Sequence, residues 1–204
     1  MSVKKAYKSW SKIYDHNENK TRDLDLVATQ TVLKSIKFDT IVELGCGTGK
    51  NTTWFAPLTT KHIAVDFSSE MLAIAKEKVT ALHVTFMEAD ISKPLSIPDS
   101  FADIVTCNLV LEHLQFMTPV FTEVTRMLKP NGYFFISEIH PMKRYVGSQA
   151  KFDEVLVESH LHHLSEYISE SEKVGLRLIK VNEWFDEDKN NPPRLLTLLF
   201  QKNK

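Results

Sequence analysis

Apolar residues near the amino terminus fall at Val3, Ala6, Tyr7, Trp10, Ile13 and Tyr14, the spacing of one helical face, while Lys4, Lys5, Lys8 and Lys12 occupy the others. This predicts an amphipathic opening helix, followed after a polar break by a second helix over residues 24–33. The pattern then changes to short apolar runs at 40–44, 63–66, 84–87, 104–107 and 133–139, each read as a strand. Helical stretches separate them: one from about 51 to Pro57, one over 70–79, and one over 119–128 closed by Lys129-Pro130-Asn131-Gly132. Apolar runs without strict alternation, with helices between them, predict a largely parallel sheet covered on both faces. Ligands of such sheets sit at the carboxyl ends of the strands. Residues 142–163 are the least regular stretch and read as an insertion over that same edge. Ser165 as N-cap and Gly175 as a stop predict one more helix. Runs at 178–185 and 195–201, joined by the turn-like segment 186–193, predict an antiparallel hairpin.

Composition narrows the class. A chain of 204 residues with 43% hydrophobic and 25% charged positions matches one globular domain, and excludes a disordered chain, a collagen repeat or a coiled coil. Its 25 basic and 26 acidic residues give a net charge of -1, which lacks the footprint of a protein that tracks a nucleic-acid backbone. No nucleic-acid partner is expected. Nowhere do about 18 apolar residues run together. The first fifteen residues carry four lysines and no apolar export segment, so neither a membrane nor export is expected. Cys46 and Cys107 are too few for a disulfide scaffold and fit a reducing compartment, which predicts a cytoplasmic protein.

Three of the six glycines, Gly45, Gly47 and Gly49, fall within five residues, between a predicted strand and a predicted helix. There the missing side chains let backbone N–H groups approach a ligand. Glu43-Leu44-Gly45-Cys46-Gly47-Thr48-Gly49 resembles the first motif of the class I methyltransferases that use S-adenosylmethionine. Two carboxylates follow in register. Asp66 lies 21 residues after Gly45 at the end of the second predicted strand, where a carboxylate accepts ribose hydroxyls. Asp90 closes the third, and the resemblance assigns it to the adenine amino group, with Phe67 and Ile91 as walls for the ring. A dinucleotide loop would place its third glycine at position 50, which is Lys50. A P-loop fails because Leu44 stands where its first glycine belongs and Asn51 where its Ser or Thr belongs.

The run from Ser100 to Leu114, ending in Glu112-His113-Leu114, resembles the family's fourth motif. The resemblance implies that main-chain groups near Asn108 and Leu109 contact the methionine part of the cofactor and that His113 points near the transferable methyl. His113 reads either as a base for the acceptor or as a residue that packs against its loop. His140, in Ser137-Glu138-Ile139-His140-Pro141, reads either as a second base or as a polar cap on a strand end. Trp10 to Asp15 resembles the lid of small-molecule members, which puts Tyr14 either over the cofactor or in an apolar face. Arg22 is either a partner for the cofactor carboxylate or a solvated surface residue. His160, His162 and His163 lack the partners of a metal motif, so no metal is expected, although the resemblance allows a histidine there to face substrate. Asn191-Pro192-Pro193 reads as a hairpin turn, because Arg194 follows where a base-flipping enzyme has an aromatic residue.

These readings combine into one domain over 1–204 with a Rossmann-like, doubly wound α/β fold and a mostly parallel seven-stranded sheet ending in an antiparallel hairpin. Residues 1–35 are expected to form lid helices, 36–141 the cofactor core, 142–164 a substrate cap, and 165–204 the last helix and hairpin. The resemblance implies methyl transfer from S-adenosylmethionine, releasing S-adenosylhomocysteine, to a small-molecule acceptor by in-line displacement in a monomer or homodimer. Cofactor contacts are expected from Tyr14, Arg22, Glu43, Gly45, Cys46, Gly47, Thr48, Gly49, Asp66, Phe67, Met71, Asp90, Ile91, Asn108, Leu109 and His113. Two other readings stay open: a methyltransferase acting on tRNA or protein, for which only the Lys4, Lys5, Lys8 and Lys12 group speaks, and a binder of the cofactor without turnover.

Overall fold

The computed structural model describes residues 19–147, 151–152, 155–156, 159–186 and 190–204. The expected opening helix, with Tyr14, lies outside them. The first described helix, α1 (Lys20–Leu33), starts at Asn19, whose side chain accepts the N–H groups of Thr21 and Arg22. There follow β1 (Thr40–Leu44), α2 (Lys50–Phe55), β2 (Lys61–Asp66), α3 (Ser69–Lys78), β3 (Val84–Glu88) and β4 (Ala102–Asn108). The second half holds α4 (Thr118–Met127), β5 (Leu128–Ile139), α5 (Pro141–Tyr145), the two-residue strands β6 (Lys151–Phe152) and β7 (Val155–Leu156), α6 (Leu164–Lys173), β8 (Leu176–Trp184) and β9 (Leu195–Lys202).

Seven strands form one sheet in the order β3-β2-β1-β4-β5-β9-β8. The first five pair in parallel, and β9 runs antiparallel to both β5 and β8. The direction of the chain reverses at β1, so the loops after β1 and β4 diverge and leave a crevice at the carboxyl ends of the strands. One face is covered by α1 and α2, whose Val32, Leu33 and Phe55 pack on Ile41, Ile104 and Phe135. Leu72 of α3 extends that layer onto Ala64. The other face is covered by α4 and α6, where Phe121, Phe134 and Phe200 meet edge to face or stacked.

α2 ends at Phe55, short of Pro57 as expected, and Pro57 sits in a 3-10 turn, Ala56–Leu58, that follows it, because a missing N–H costs nothing at the start of a new turn. Several boundaries differ from the pattern, each for a local reason. The α6 N-cap is His163, not Ser165: its side chain takes the N3 backbone N–H, and Glu166 reaches back to the His163 N–H. Lys129-Pro130-Asn131-Gly132 does not separate α4 from its strand, since β5 already begins at Leu128, opposite Ala102, with a register shift before Ile104. β3 is an edge strand, with Thr85 and Glu88 exposed and the rest half-buried, rather than a buried one. Two polar ties join segments far apart in the chain. Arg194 holds Asp186 through two nitrogens at 2.5 and 2.8 Å and donates to the Thr21 hydroxyl at 3.0 Å, which joins the β8–β9 turn to the first turn of α1. At the amino ends of the strands, Asp103 accepts the Asp39 and Thr40 N–H groups at 3.0 and 2.8 Å and the Lys129 ammonium at 2.7 Å.

Candidate active site

The glycine segment forms the floor of the crevice. Leaving β1, the chain takes positive φ at Gly45 (+75°) and Gly47 (+53°), while the N–H groups of Gly45 and Cys46 both donate to the Val65 carbonyl at 2.8 and 2.9 Å. A Cβ on Gly45 would stand 2.1 Å from Cγ2 of Val110, so this glycine lets the loops after β1 and β4 touch. A Cβ on Gly47 would meet nothing within 4 Å, so this one faces open space. Asp66, at the end of β2, accepts the Gly47 N–H at 2.8 Å through Oδ2 and the Ser68 N–H at 2.9 Å through Oδ1. Burial pushes its carboxyl upward, the Ser68 and Gly47 N–H groups pull the other way, and the neighbouring Glu43 charge adds to the rise.

Two lobes open on this floor. The inner one, about 80 Å³, is walled by Arg22, Asp25, Lys50, Asn51, Asn108 and Leu109. The outer one, about 610 Å³, is walled by Glu88, Ala89, Asp90, Ile91 and Leu114. Gly45, Asp66, Phe67, Val110 and His113 line both, which makes the lobes one continuous cleft. His113 reaches it from a 3-10 turn, Leu111–His113, just beyond β4. Cys46 and Thr48 line the inner lobe, and burial pushes the Cys46 thiol well above its ordinary value, so it stays a neutral wall. Asp90 is exposed at the mouth and accepts the Ser92 N–H and hydroxyl at 2.9 and 2.7 Å, beside the buried Ile91. Glu43 also borders the inner lobe, but its Oε2 accepts from the Thr52 hydroxyl at 2.6 Å and from His62 Nε2 at 3.2 Å, a post beneath the glycine turn.

Three expected residues lie elsewhere. Gly49 caps α2 and donates its N–H to the Cys46 carbonyl at 2.9 Å. Met71 is fully buried in the first turn of α3, away from both lobes. His140 lines neither lobe: its Nδ1 accepts the Met142 N–H at 3.2 Å, capping α5, and its Nε2 donates to Glu183 at 3.0 Å. Burial lowers its pKa, with Glu183 opposing. Of its two sequence readings, the geometry fits the strand-end cap and takes its nitrogens out of reach of an acceptor. His160 and His162 brace the His113 loop, through the His160 N–H to the Glu112 carbonyl at 2.6 Å and His162 Nε2 to the Leu114 carbonyl at 2.8 Å. Among the described residues, no group of three His, Cys, Asp or Glu is placed to hold a metal.

Sequence reasoning missed two carboxylates. Glu138, on β5, accepts the N–H groups of Val110 and Leu111 at 2.8 and 2.7 Å and so holds the loop that carries His113. Burial pushes its carboxyl up to about 8, with Glu112 adding to the rise. Glu112 is itself raised to about 7 by burial, with Arg144 opposing. The second is Asp25 of α1, which is 4% exposed and has its pKa raised by burial despite hydrogen bonds from the Ser137, Asn51 and Asn108 side chains. The signal for Asp25 was its place on the stripe with Ala28, Thr29 and Val32, where a charged residue has to be accounted for.

Known proteins share this fold. A family model described as "Methyltransferase domain" matches residues 42–136. An uncharacterised methyltransferase of Emericella nidulans is 29% identical over 87% of this chain and 76% of its own length. A malonyl-[acyl-carrier protein] O-methyltransferase of Marinomonas is 28% identical over 72% of this chain, which spans only 58% of that relative. Among solved structures, the N-methyltransferase NodS of Bradyrhizobium japonicum in complex with S-adenosyl-L-homocysteine superposes with a TM-score of 0.74 at 16% identity, over 98% of this chain and 99% of that one. Residues 42–136 are thus a methyltransferase domain, on the fold shared with S-adenosylmethionine-dependent methyltransferases. The chain is a methyltransferase, and its cofactor is S-adenosylmethionine. The cleft of this methyltransferase fits that group in two respects: space opens beside Gly47, and the side-chain oxygens of Asn51 and Asn108 are buried without a partner. No helix among the described residues is long and apolar enough to cross a membrane.

Proposed function

We propose that this methyltransferase acts on a small-molecule acceptor, with the two-lobed cleft as the seat of its cofactor. The observation that carries the placement is Gly47: its flank is open, its N–H is fixed on Asp66, and a second carboxylate, Asp90, stands at the mouth of the same cleft. In this reading Asp66 takes the ribose hydroxyls, and Asp90 takes the adenine amino group between Phe67 and Ile91. The loop from Gly45 to Thr48, with Asn108 and Leu109, holds the amino-acid end, and Arg22 faces its carboxylate. When bound, the cofactor supplies an electrophilic methyl group on a sulfonium. The chain itself has to align the acceptor, keep water out and receive a proton. His113 borders both lobes, and its imidazole takes the proton of an acceptor hydroxyl, thiol or amine. The two cysteines are buried and free, in keeping with a reducing, cytoplasmic setting. Relatives named for O-methylation of malonyl-[acyl-carrier protein] and for S-methylation of a thiol support a small acceptor group without choosing between oxygen and sulfur.

The test is incubation with methyl-labelled cofactor and a fractionated cell extract. Label in small metabolites is the expected result. Label in RNA or protein would overturn the acceptor class, and label nowhere would leave a binder without turnover.

A further inference from the structure

The inner lobe ends against a wall that sequence motifs do not describe. Asp25 accepts from Asn108 Nδ2 at 2.8 Å through Oδ1 and from Asn51 Nδ2 at 3.0 Å through Oδ2. Asn108 Nδ2 also donates to the Thr29 hydroxyl at 2.8 Å. A carboxylate only accepts, so both amides must turn their nitrogens toward it and their oxygens away. Those two oxygens, Asn51 Oδ1 and Asn108 Oδ1, are buried and have no partner. The nearby cation Lys50 is drawn off to Asp23, at 2.5 Å on the surface. Asp25 is left buried with no ion pair among the described residues, and burial raises its pKa accordingly.

A buried carboxylate flanked by two unused carbonyl oxygens calls for a ligand that carries positive charge and several donors and no acceptor. A primary ammonium has that description: three N–H donors and one charge. A carboxylate, phosphate or hydroxyl would be repelled or would leave acceptors unmatched. We propose that Asp25, with the side-chain oxygens of Asn51 and Asn108, forms the seat of the α-ammonium at the amino-acid end of the cofactor. This rests on the placement of S-adenosylmethionine in the cleft. It goes further by making α1, which lies before the matched residues 42–136, a determinant of cofactor recognition. It also gives the two helices different tasks: α1 brings the charge, and α2 and β4 bring the neutral acceptors that aim it.

Calorimetry with S-adenosylhomocysteine and with its deamino analogue, which lacks only the α-amino group, tests this as a two-by-two cycle. Wild-type protein should bind S-adenosylhomocysteine at least tenfold more tightly than the deamino analogue. Asp25→Asn should erase that preference by weakening S-adenosylhomocysteine alone, with the analogue held as before; retained analogue binding also shows that the variant is folded. Asn51→Leu, which removes one acceptor together with the Nδ2 bond to Asp25 and leaves the charge, should cut the preference by a smaller factor of about three. Equal preference in wild type and both variants would overturn the ammonium seat while leaving the cofactor placement standing. Loss of both ligands in Asp25→Asn together with an unchanged preference in Asn51→Leu would also overturn it. Wild-type protein that binds neither ligand would sink the placement, and the seat with it.

Discussion

The two ends of the sheet use carboxylates in opposite ways. At the amino ends of the strands, Asp103 meets two backbone N–H groups and the Lys129 ammonium; burial resists ionisation there, but these partners outweigh it and hold the carboxyl at about 2. At the carboxyl ends, Asp25, Asp66 and Glu138 are buried, accept hydrogen bonds from neutral groups only, and are all raised. One end is matched within the chain and serves stability. At the other, these three are left electrostatically incomplete, which is costly unless something else completes them. A parallel sheet explains why the division follows strand direction: the loops that leave β1, β2 and β4 all emerge at one edge, and there the backbone can part around a ligand.

The largest expected effect comes where the two loops of the cleft meet. Gly45→Ala forces a Cβ into Val110 and strains a positive φ, and should lower stability by about 3 kcal/mol in urea titration. A loss below about 1 kcal/mol would mean that the loops separate easily and that the floor is not a fixed contact. Next come the paired carboxylates, which cross the comparison directly. Asp103→Asn should cost about 2 kcal/mol of stability and leave cofactor affinity alone. Asp66→Ala should do the reverse, weakening cofactor binding at least tenfold, about 1.4 kcal/mol. If melting and calorimetry gave the two variants the same signature, the contrast between the ends would be lost.

The smallest effect, counted per pH unit, is a pH dependence. The folded chain keeps a proton on Glu138 up to about 8, whereas the unfolded chain releases it near 4.5. Stability from this group is therefore full below the lower value and lost as pH rises toward the higher one. Glu138→Gln removes that dependence, so the wild-type advantage over the variant should shrink between these values by on the order of 1 kcal/mol for each pH unit. Asp103 carries the opposite sign, its contribution disappearing as pH falls from 3.8 to about 2. A gap between wild type and Glu138→Gln that stays constant across neutral pH would take Glu138 out of the comparison.

Much of the fold was legible because buried parallel strands are apolar on both faces and stand out as runs, as at Thr40–Leu44 and Ala102–Asn108. The glycine turn and Asp66 were legible because their chemistry depends on short-range order in the chain. Asp25 and Glu138 were not, because their meaning is set by partners far away in sequence: Asn108 is 83 residues from Asp25, and Val110 is 28 from Glu138. His140 shows the converse. Its position at a strand end suggested reactivity, yet only the fold reveals Met142 and Glu183 occupying its ring nitrogens. His163 took the α6 cap from Ser165 because Glu166 falls in the reciprocal position for it.

The Arg194 clasp has a practical consequence. By gripping both Asp186 and Thr21, it ties the attitude of α1 to a surface bend near the other terminus. Tampering with that bend, far from any reacting atom, would tilt the rod on which Asp25 rides, and donor recognition would drift with no change to the pocket's own residues.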